Sequence, residues 1–230
     1  IEITGINSER LRVIFNPKPL EEILGMSGKS SGHSWLQNKT VPVIIAVGRL
    51  RIQKNFPLII SAFAKVVEKT PSRLIVVGEG RERGRMKELM KKLNCENCVS
   101  LPGYSDNPYS YMGKADLFVS ASLWEGMPNV VLEALVCGLP VISSDCSSGP
   151  REILAPDTDY RIRIKEGVEY AKYGVLTPVG DEEALVEAMT KMLGDGDLRA
   201  KYSSLSKERI KDFDSNKIIN EYAYALGLNG

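Results

Sequence analysis

The sequence predicts an α/β fold in which a doubly wound, Rossmann-like parallel sheet of about six strands carries helices on both faces. Two observations lead there. Short apolar runs at 43–47, 74–77, 99–101, 117–119, 141–143 and 173–176 alternate with helix-period segments at 56–69, 83–93, 108–113, 129–137 and 181–193, the order of strands joined by crossover helices. The runs are continuously apolar, so both sheet faces are expected to be buried, with ligands bound beyond the carboxyl ends of the strands.

Flanking segments differ in character. Residues 1–40 read as an interdomain junction: a strand at 11–15 closed by Asn16-Pro17, then a flexible Gly/Ser loop at 25–34. Residues 41–194 form the Rossmann-like domain. Residues 195–230 hold polar helices at 197–209 and 215–226, expected to pack on that domain or reach toward another.

Composition narrows the function. Of 230 residues, 43% are hydrophobic and 26% charged, an ordinary globular profile. Thirty basic and 29 acidic side chains leave a formal charge of +1, so no nucleic-acid partner is expected. The longest apolar stretch, 41–47, is far shorter than the roughly 20 residues that cross a bilayer. The opening Ile1-Glu2-Ile3-Thr4 has neither Met nor a signal-peptide pattern, and the sequence reads as a piece of a longer protein. Four cysteines are too few and scattered for a disulfide scaffold, which points to a reducing, cytoplasmic setting. Cys95-Glu-Asn-Cys98 lacks a second such pair, and the single histidine, His33, lies in the Gly/Ser loop, so no metal site is expected.

The strand ends carry groups suited to anions. After the first come Gly48, Arg49 and Lys54, next to a helix N-terminus; the two cations and the helix dipole suit a diphosphate, with solvated loop charges as the competing reading. The second ends Gly78-Glu-Gly80, where close backbone approach to a ligand competes with a simple tight turn. A dinucleotide fingerprint would need glycine where Arg83 stands, which disfavours a dehydrogenase. Gly103-Tyr104-Ser105 closes the third strand as a turn that could face a flat base. After the fourth, Glu125 precedes a helix that begins near Pro128 and carries Glu133. Carboxylates accept hydrogen bonds from vicinal hydroxyls, so this pair suits a ribose and a second sugar, or it merely complements the helix dipole.

Together these blocks resemble the C-terminal nucleotide-sugar-binding domain of a GT-B, family 4, retaining glycosyltransferase. The likeness runs from Leu11 to the C-terminus, through Val-Gly48-Arg49-Leu-x3-Lys54-Asn, Val-Gly78-Glu-Gly80, Leu-x-Gly103-Tyr and Glu125-Gly-x6-Glu133-Ala-Leu-x-Cys-Gly-x-Pro140. The resemblance implies that Arg49 and Lys54 bind the donor diphosphate and that Glu125 contacts the donor sugar. It further implies that the amides of Met127, Asn129 and Val130 lie near the phosphates, that Glu133 binds the ribose, and that the Gly103-Tyr104-Ser105 loop receives the base. Many members have Gly-Phe-Gly where this chain has Gly126-Met127-Pro128, and proline has no amide to donate. Residues 157–173 look like a family-specific insertion.

The reaction so implied transfers a sugar, with retention, from a nucleotide-diphosphate donor such as a UDP-hexose or UDP-N-acetylhexosamine to a glycan or lipid-linked acceptor. It needs no cofactor, and surface polysaccharide synthesis is the expected setting. The acceptor site and general base would come from an N-terminal domain, and the chain alone is expected to be inactive. Asp157-Thr-Asp159, Asp195-Gly-Asp197 and Asp212-Phe-Asp214 read as surface acids rather than metal ligands. Six basic residues in 81–92 allow peripheral contact with the inner membrane face, a solvated helix face being the competing reading. The competing functions are a GT-B nucleotide-sugar epimerase and a non-catalytic nucleotide-binding module.

Overall fold

The computed structural model describes residues 13–228. One sheet of seven strands, β1 (Val43–Val47), β2 (Arg73–Val77), β3 (Val99–Gly103), β4 (Leu117–Ser120), β5 (Val141–Ser144), β6 (Glu169–Tyr170) and β7 (Val175–Thr177), runs in the order β3-β2-β1-β4-β5-β7-β6. All neighbours are parallel except β6 and β7. The fold class read from sequence is therefore present, with β6 as an addition: a two-residue strand is too short to show any period.

Burial on both faces follows from the continuous apolar runs. Ile44, Ala46, Leu74, Val76, Leu117, Val119 and Ile142 enter one core. There they meet α3 (Phe56–Val67), α4 (Arg83–Lys92) and α8 (Glu182–Gly194). Val43, Ile45, Ile75, Val77, Phe118 and Val141 enter the other. That face is covered by α1 (Leu20–Ser27), α5 (Tyr109–Met112), α6 (Asn129–Val136) and α7 (Pro150–Leu154). The short α2 (Ser34–Gln37) adds Leu36 to this second core. Successive residues of a strand point to opposite faces, so each strand feeds both cores.

The polar helices at the end pack on the domain. In α9 (Gly196–Arg209), Tyr202 is buried and Ser206 donates to the Leu139 carbonyl at 2.8 Å. Ile218 anchors α10 (Ser215–Ala225). Asp195 and Asp214, two of the acids in the Asp-x-Asp pairs, cap α9 and α10 by accepting from the Leu198 and Asn216 amides.

Two expectations near the start are corrected. Of the strand expected at 11–15, Leu11 and Arg12 lie outside the described residues, and 13–15 form no strand. Phe15 instead packs on Phe213, ring centroids 5.4 Å apart, and the backbone of Lys18 pairs with that of Asp214 in an isolated parallel β-bridge. The loop expected at 25–34 begins inside α1, because burial of Ile23 and the acids Glu21 and Glu22 in the first turn outweigh the low helix propensity of Gly25.

Candidate functional site

Sheet order reverses between β1 and β4, the switch point beyond whose carboxyl edge α/β proteins bind ligands. The loops that follow β1, β2, β3 and β4 gather there.

The first three loops share backbone hydrogen bonds. Gly48 N donates to the Val77 carbonyl at 3.0 Å, Gly78 N to Gly103 at 2.8 Å, and Leu50 N to Glu79 at 2.9 Å. A Cβ on Gly78 would fall 1.9 Å from the Gly48 oxygen, and one on Gly80 2.3 Å from the Leu50 oxygen. These glycines are thus required by backbone against backbone, which leaves their other side open. A cavity of about 500 Å³ opens on that side, walled by Gly48, Arg49, Gly78, Gly80, Tyr104 and Ser105. Arg49 and Tyr104 are exposed. Gly103 supports this wall from beneath, with Glu79 Oε1 lying 3.0 Å from where a Cβ would stand.

Lys54 and Glu125 meet at the switch point. Asn55 adopts a left-handed conformation, φ +48°, before α3 begins, a geometry that asparagine tolerates better than most residues. Lys54 Nζ bonds Glu125 Oε1, which also accepts from Ser122 Oγ at 2.7 Å. The side chains of Lys54 and Glu125 are 19% and 9% exposed, so the pair is largely withdrawn from water. A second tie joins the same loops: Leu123 N donates to the Gln53 carbonyl at 2.8 Å, and Gln53 Nε2 to the Trp124 carbonyl at 2.9 Å.

The loop after β5 supports the Glu125 loop. Ser144 Oγ donates to the Ser122 carbonyl and Ser148 Oγ to the Glu125 carbonyl, both at 2.6 Å. Gly149, φ +88°, lies so close that a Cβ would come within 2.3 Å of Pro128 Cδ and 2.6 Å of the Gly126 oxygen. Deeper, Arg151 holds Asp145 at 2.7 Å and Glu169 at 2.6 Å, and Asp145 accepts from Ile164 N at 2.8 Å. This buried cluster ties the stretch 157–173 to the β5–α7 loop.

At the start of α6, Pro128 supplies no side-chain cap. Helix geometry leaves the amides of Asn129 and Val130 without a carbonyl inside the helix, and the dipole favours an anion there. Asn129 is exposed, and its Oδ1 accepts from Asn16 Nδ2 at 3.4 Å. Met127 packs against the second core. Glu133, the fifth residue of α6, bonds Lys18 Nζ at 3.1 Å.

Of the expected site residues, Gly48, Arg49, Gly78, Gly80, Tyr104 and Ser105 wall one cavity, Lys54 and Glu125 pair beside it, and Asn129, Val130 and Glu133 lie on α6, while Gly103 is not in the cavity wall and Met127 packs into the second core. Sequence reading missed Lys18, Ser122 and Gln53. Ser122, three residues before Glu125 in the same loop, was the one with a local signal. Lys18 reaches Glu133 only through the tertiary path of the chain.

Two thiols border this geometry: Cys146 Sγ donates to the Ser148 carbonyl at 3.9 Å, and burial, then the Glu133 charge, push the Cys137 thiol up to about 12. Cys95 and Cys98 donate to the Met90 and Cys95 carbonyls, and burial pushes the Cys95 thiol up to about 11. Among the described residues no three His, Cys, Asp or Glu side chains gather as a metal site would need.

Residues 32–209 match the family described as Glycosyl transferases group 1. An uncharacterized glycosyltransferase of Methanocaldococcus jannaschii is 42% identical over 78% of this chain and 48% of its own length. The N-acetylgalactosamine-N,N'-diacetylbacillosaminyl-diphospho-undecaprenol 4-alpha-N-acetylgalactosaminyltransferase of Campylobacter jejuni is 34% identical over 97% of this chain and 55% of its own. The chain spans about half the length of these curated relatives. Among solved structures, HepE of Anabaena in complex with UDP superposes with a TM-score of 0.78 at 22% identity, covering 97% of this chain and 59% of HepE. The lipopolysaccharide outer core galactosyltransferase WaaB in its apo form gives 0.74 at 21% identity, over 100% of this chain and 58% of WaaB. Both likenesses carry the GT-B, Rossmann-like architecture of the sheet described above. By sequence and by fold, the chain belongs to the group 1 glycosyl transferases.

Proposed function

We propose that this chain is the donor-binding domain of a retaining, family 4, GT-B glycosyltransferase that moves a sugar from a UDP-hexose or UDP-N-acetylhexosamine to a glycan or lipid-linked acceptor. The observation that carries the reading is the cavity of about 500 Å³ walled by glycine backbone, Arg49 and Tyr104 at the carboxyl edge, next to the Lys54–Glu125 pair. Close-packed glycines let a flat base and ribose lie against the main chain, with Tyr104 and Ser105 at the far wall.

The donor's diphosphate then reaches toward Arg49 and the first amides of α6. Breaking the bond between sugar and diphosphate puts positive charge on the ring and negative charge on the leaving phosphate. Arg49, Lys54 and the helix N-terminus answer the second, and this chain's own cations supply that role without a bound metal. Glu125 offers a carboxylate to sugar hydroxyls once the donor displaces part of its contact with Lys54. Glu133 offers another to the ribose. The general base and the rest of the acceptor site belong to a further domain, so the chain alone turns over nothing.

The relatives support the setting. The Campylobacter enzyme is named for a diphospho-undecaprenol acceptor, an Erwinia amylovora relative for amylovoran biosynthesis, and Anabaena HepE was solved with UDP and glucose. We therefore place the protein in surface polysaccharide synthesis on the cytoplasmic side. Among the described residues no helix is long and apolar enough to cross a membrane. The exposed Arg85, Lys87, Lys91 and Lys92 of α4 supply a basic face for peripheral contact with anionic lipid.

Thermal shift tests the reading, because a ligand that binds only the folded state raises stability as RT ln(1 + [L]/Kd). The chain is heated with UDP, GDP, ADP, NAD or AMP at millimolar concentration in EDTA. UDP is expected to stabilise it, and Arg49→Ala or Glu133→Gln to abolish the shift without lowering the unliganded midpoint by more than a few degrees. A flat response to UDP, or a preference for NAD, overturns the donor assignment.

A further inference from the structure

A second cavity of about 590 Å³ adjoins the first, walled by Arg51, Ile52, Gln53, Arg81, Glu82 and Trp124. Arg51 and Arg81 line both. The acids here are already neutralised: Glu79 pairs with Arg83 at 2.8 Å and Glu82 with Arg85 at 3.2 Å. Neither guanidinium of Arg51 or Arg81 has a hydrogen bond or ion pair with any described residue, and both are exposed. Two unpaired planar cations in a groove whose carboxylates are taken form a net positive site suited to a phosphate.

Trp124 supplies the other half. The residue is 52% exposed, and Ile52, which lines the same groove, is 62% exposed. The backbone that carries the indole is tethered, since the Trp124 main-chain carbonyl accepts from Gln53 Nε2 and the preceding amide, Leu123 N, donates to the Gln53 carbonyl. Trp124 also directly precedes Glu125. A flat, half-exposed indole on a tethered backbone matches the C–H face of a sugar ring, and an aromatic side chain with two rotatable bonds orders at little entropic cost.

We propose that this groove is an acceptor subsite that binds a phosphorylated saccharide, the sugar stacked on Trp124 and the phosphate held by Arg51 and Arg81. The proposal rests on the donor reading of the neighbouring cavity and extends it. The donor's own diphosphate is directed to Arg49 and the start of α6, which leaves Arg51 and Arg81 for a second anion. The acceptor would then approach Glu125 along the Trp124 side.

Trp124 is its own reporter. The sequence holds two tryptophans, and Trp35 lies beneath the Arg73 guanidinium at 4.7 Å. N-acetylglucosamine 1-phosphate is titrated into the chain with and without saturating UDP while tryptophan emission is followed. A saturable change is expected in both conditions, absent in Trp124→Phe and at least about tenfold weaker in affinity in Arg51→Ser/Arg81→Ser. Methyl N-acetylglucosaminide and inorganic phosphate, each lacking one half of the ligand, are expected to bind at least about tenfold more weakly.

The proposal is overturned if no saturable change occurs, if UDP competes with the sugar phosphate, or if the response survives Arg51→Ser/Arg81→Ser. Thermal shift with UDP on the same samples separates the two readings. Stabilisation by UDP without a sugar-phosphate response removes the subsite and leaves the donor site standing; the reverse pattern overturns the donor reading and with it the acceptor role of the groove, leaving a bare sugar-phosphate site.

Discussion

Lys18 Nζ lies 3.1 Å from Glu133 Oε1, joining the segment ahead of α1 to a carboxylate 115 positions later. The two side chains are 9% and 19% exposed, so each is poorly served by water if the other is removed. The contact holds a proposed ribose ligand at a fixed height on α6 and ties the incoming chain to the site.

Lys18→Met is therefore expected to cost about 1–3 kcal/mol in urea denaturation, the range for an orphaned, partly buried polar group. It should also raise the Kd for UDP by about tenfold, read by thermal shift. Lys18→Met/Glu133→Gln should recover most of the stability and none of the affinity. Equal affinity in wild type and Lys18→Met would show that Glu133 needs no positioning.

Gly78→Ala is expected to lower the urea midpoint by an amount worth at least about 2 kcal/mol, because its new methyl meets the Gly48 oxygen at 1.9 Å at φ +146°. Gly84→Ala is the control: nothing lies within 4 Å of its added methyl. If both alanines behave alike, the back-to-back packing of the first two loops is not what fixes the cavity.

His33 sets a pH dependence. Its Nδ1 accepts from Trp35 N at 3.3 Å and its Nε2 lies 3.0 Å from Ser100 Oγ, an arrangement for the neutral ring. Burial first, and the Arg73 charge second, hold its pKa below 6.5. The unfolded chain thus binds the proton more readily than the folded one. The stabilisation is full above pH 6.5, shrinks by at most about 1.4 kcal/mol per pH unit as pH falls toward the lowered value, and changes no further below it. Urea midpoints between pH 7.5 and 5.5 should fall more steeply for wild type than for His33→Gln; parallel curves would refute it.

Much of the fold was legible because β1, β2, β4 and β5 are buried on both faces, and continuous apolar runs have no competing interpretation once helices separate them. The glycines at 78 and 80 were legible for a related reason: backbone packed on backbone admits no side chain, and the residue type declares it. Other features left no local trace. β6 exists because Glu169 reaches Arg151 and its strand borrows β7, neither of which a two-residue stretch can announce. Segment 13–15 has the residues of a strand but runs beside no strand of the sheet, and Phe15 packs its apolar surface on Phe213 instead. The pairing of Lys54 with Glu125 joins two blocks that were each visible, but their contact depends on the strand order, which brings β1 beside β4 across the chain.

The bracing of the Glu125 loop by Ser144, Ser148 and Gly149 sets a rule for building chimaeras. Residues 121–128 are not a replaceable module, since their carbonyls are held by hydroxyls from the next loop and Pro128 rests where Gly149 has no side chain. A recombinant that imports this loop from another transferase while keeping its host's 144–149 would join two surfaces that never adapted to one another. Grafts meant to change sugar preference should cross over before β4 and after α7, so that the brace travels with what it braces.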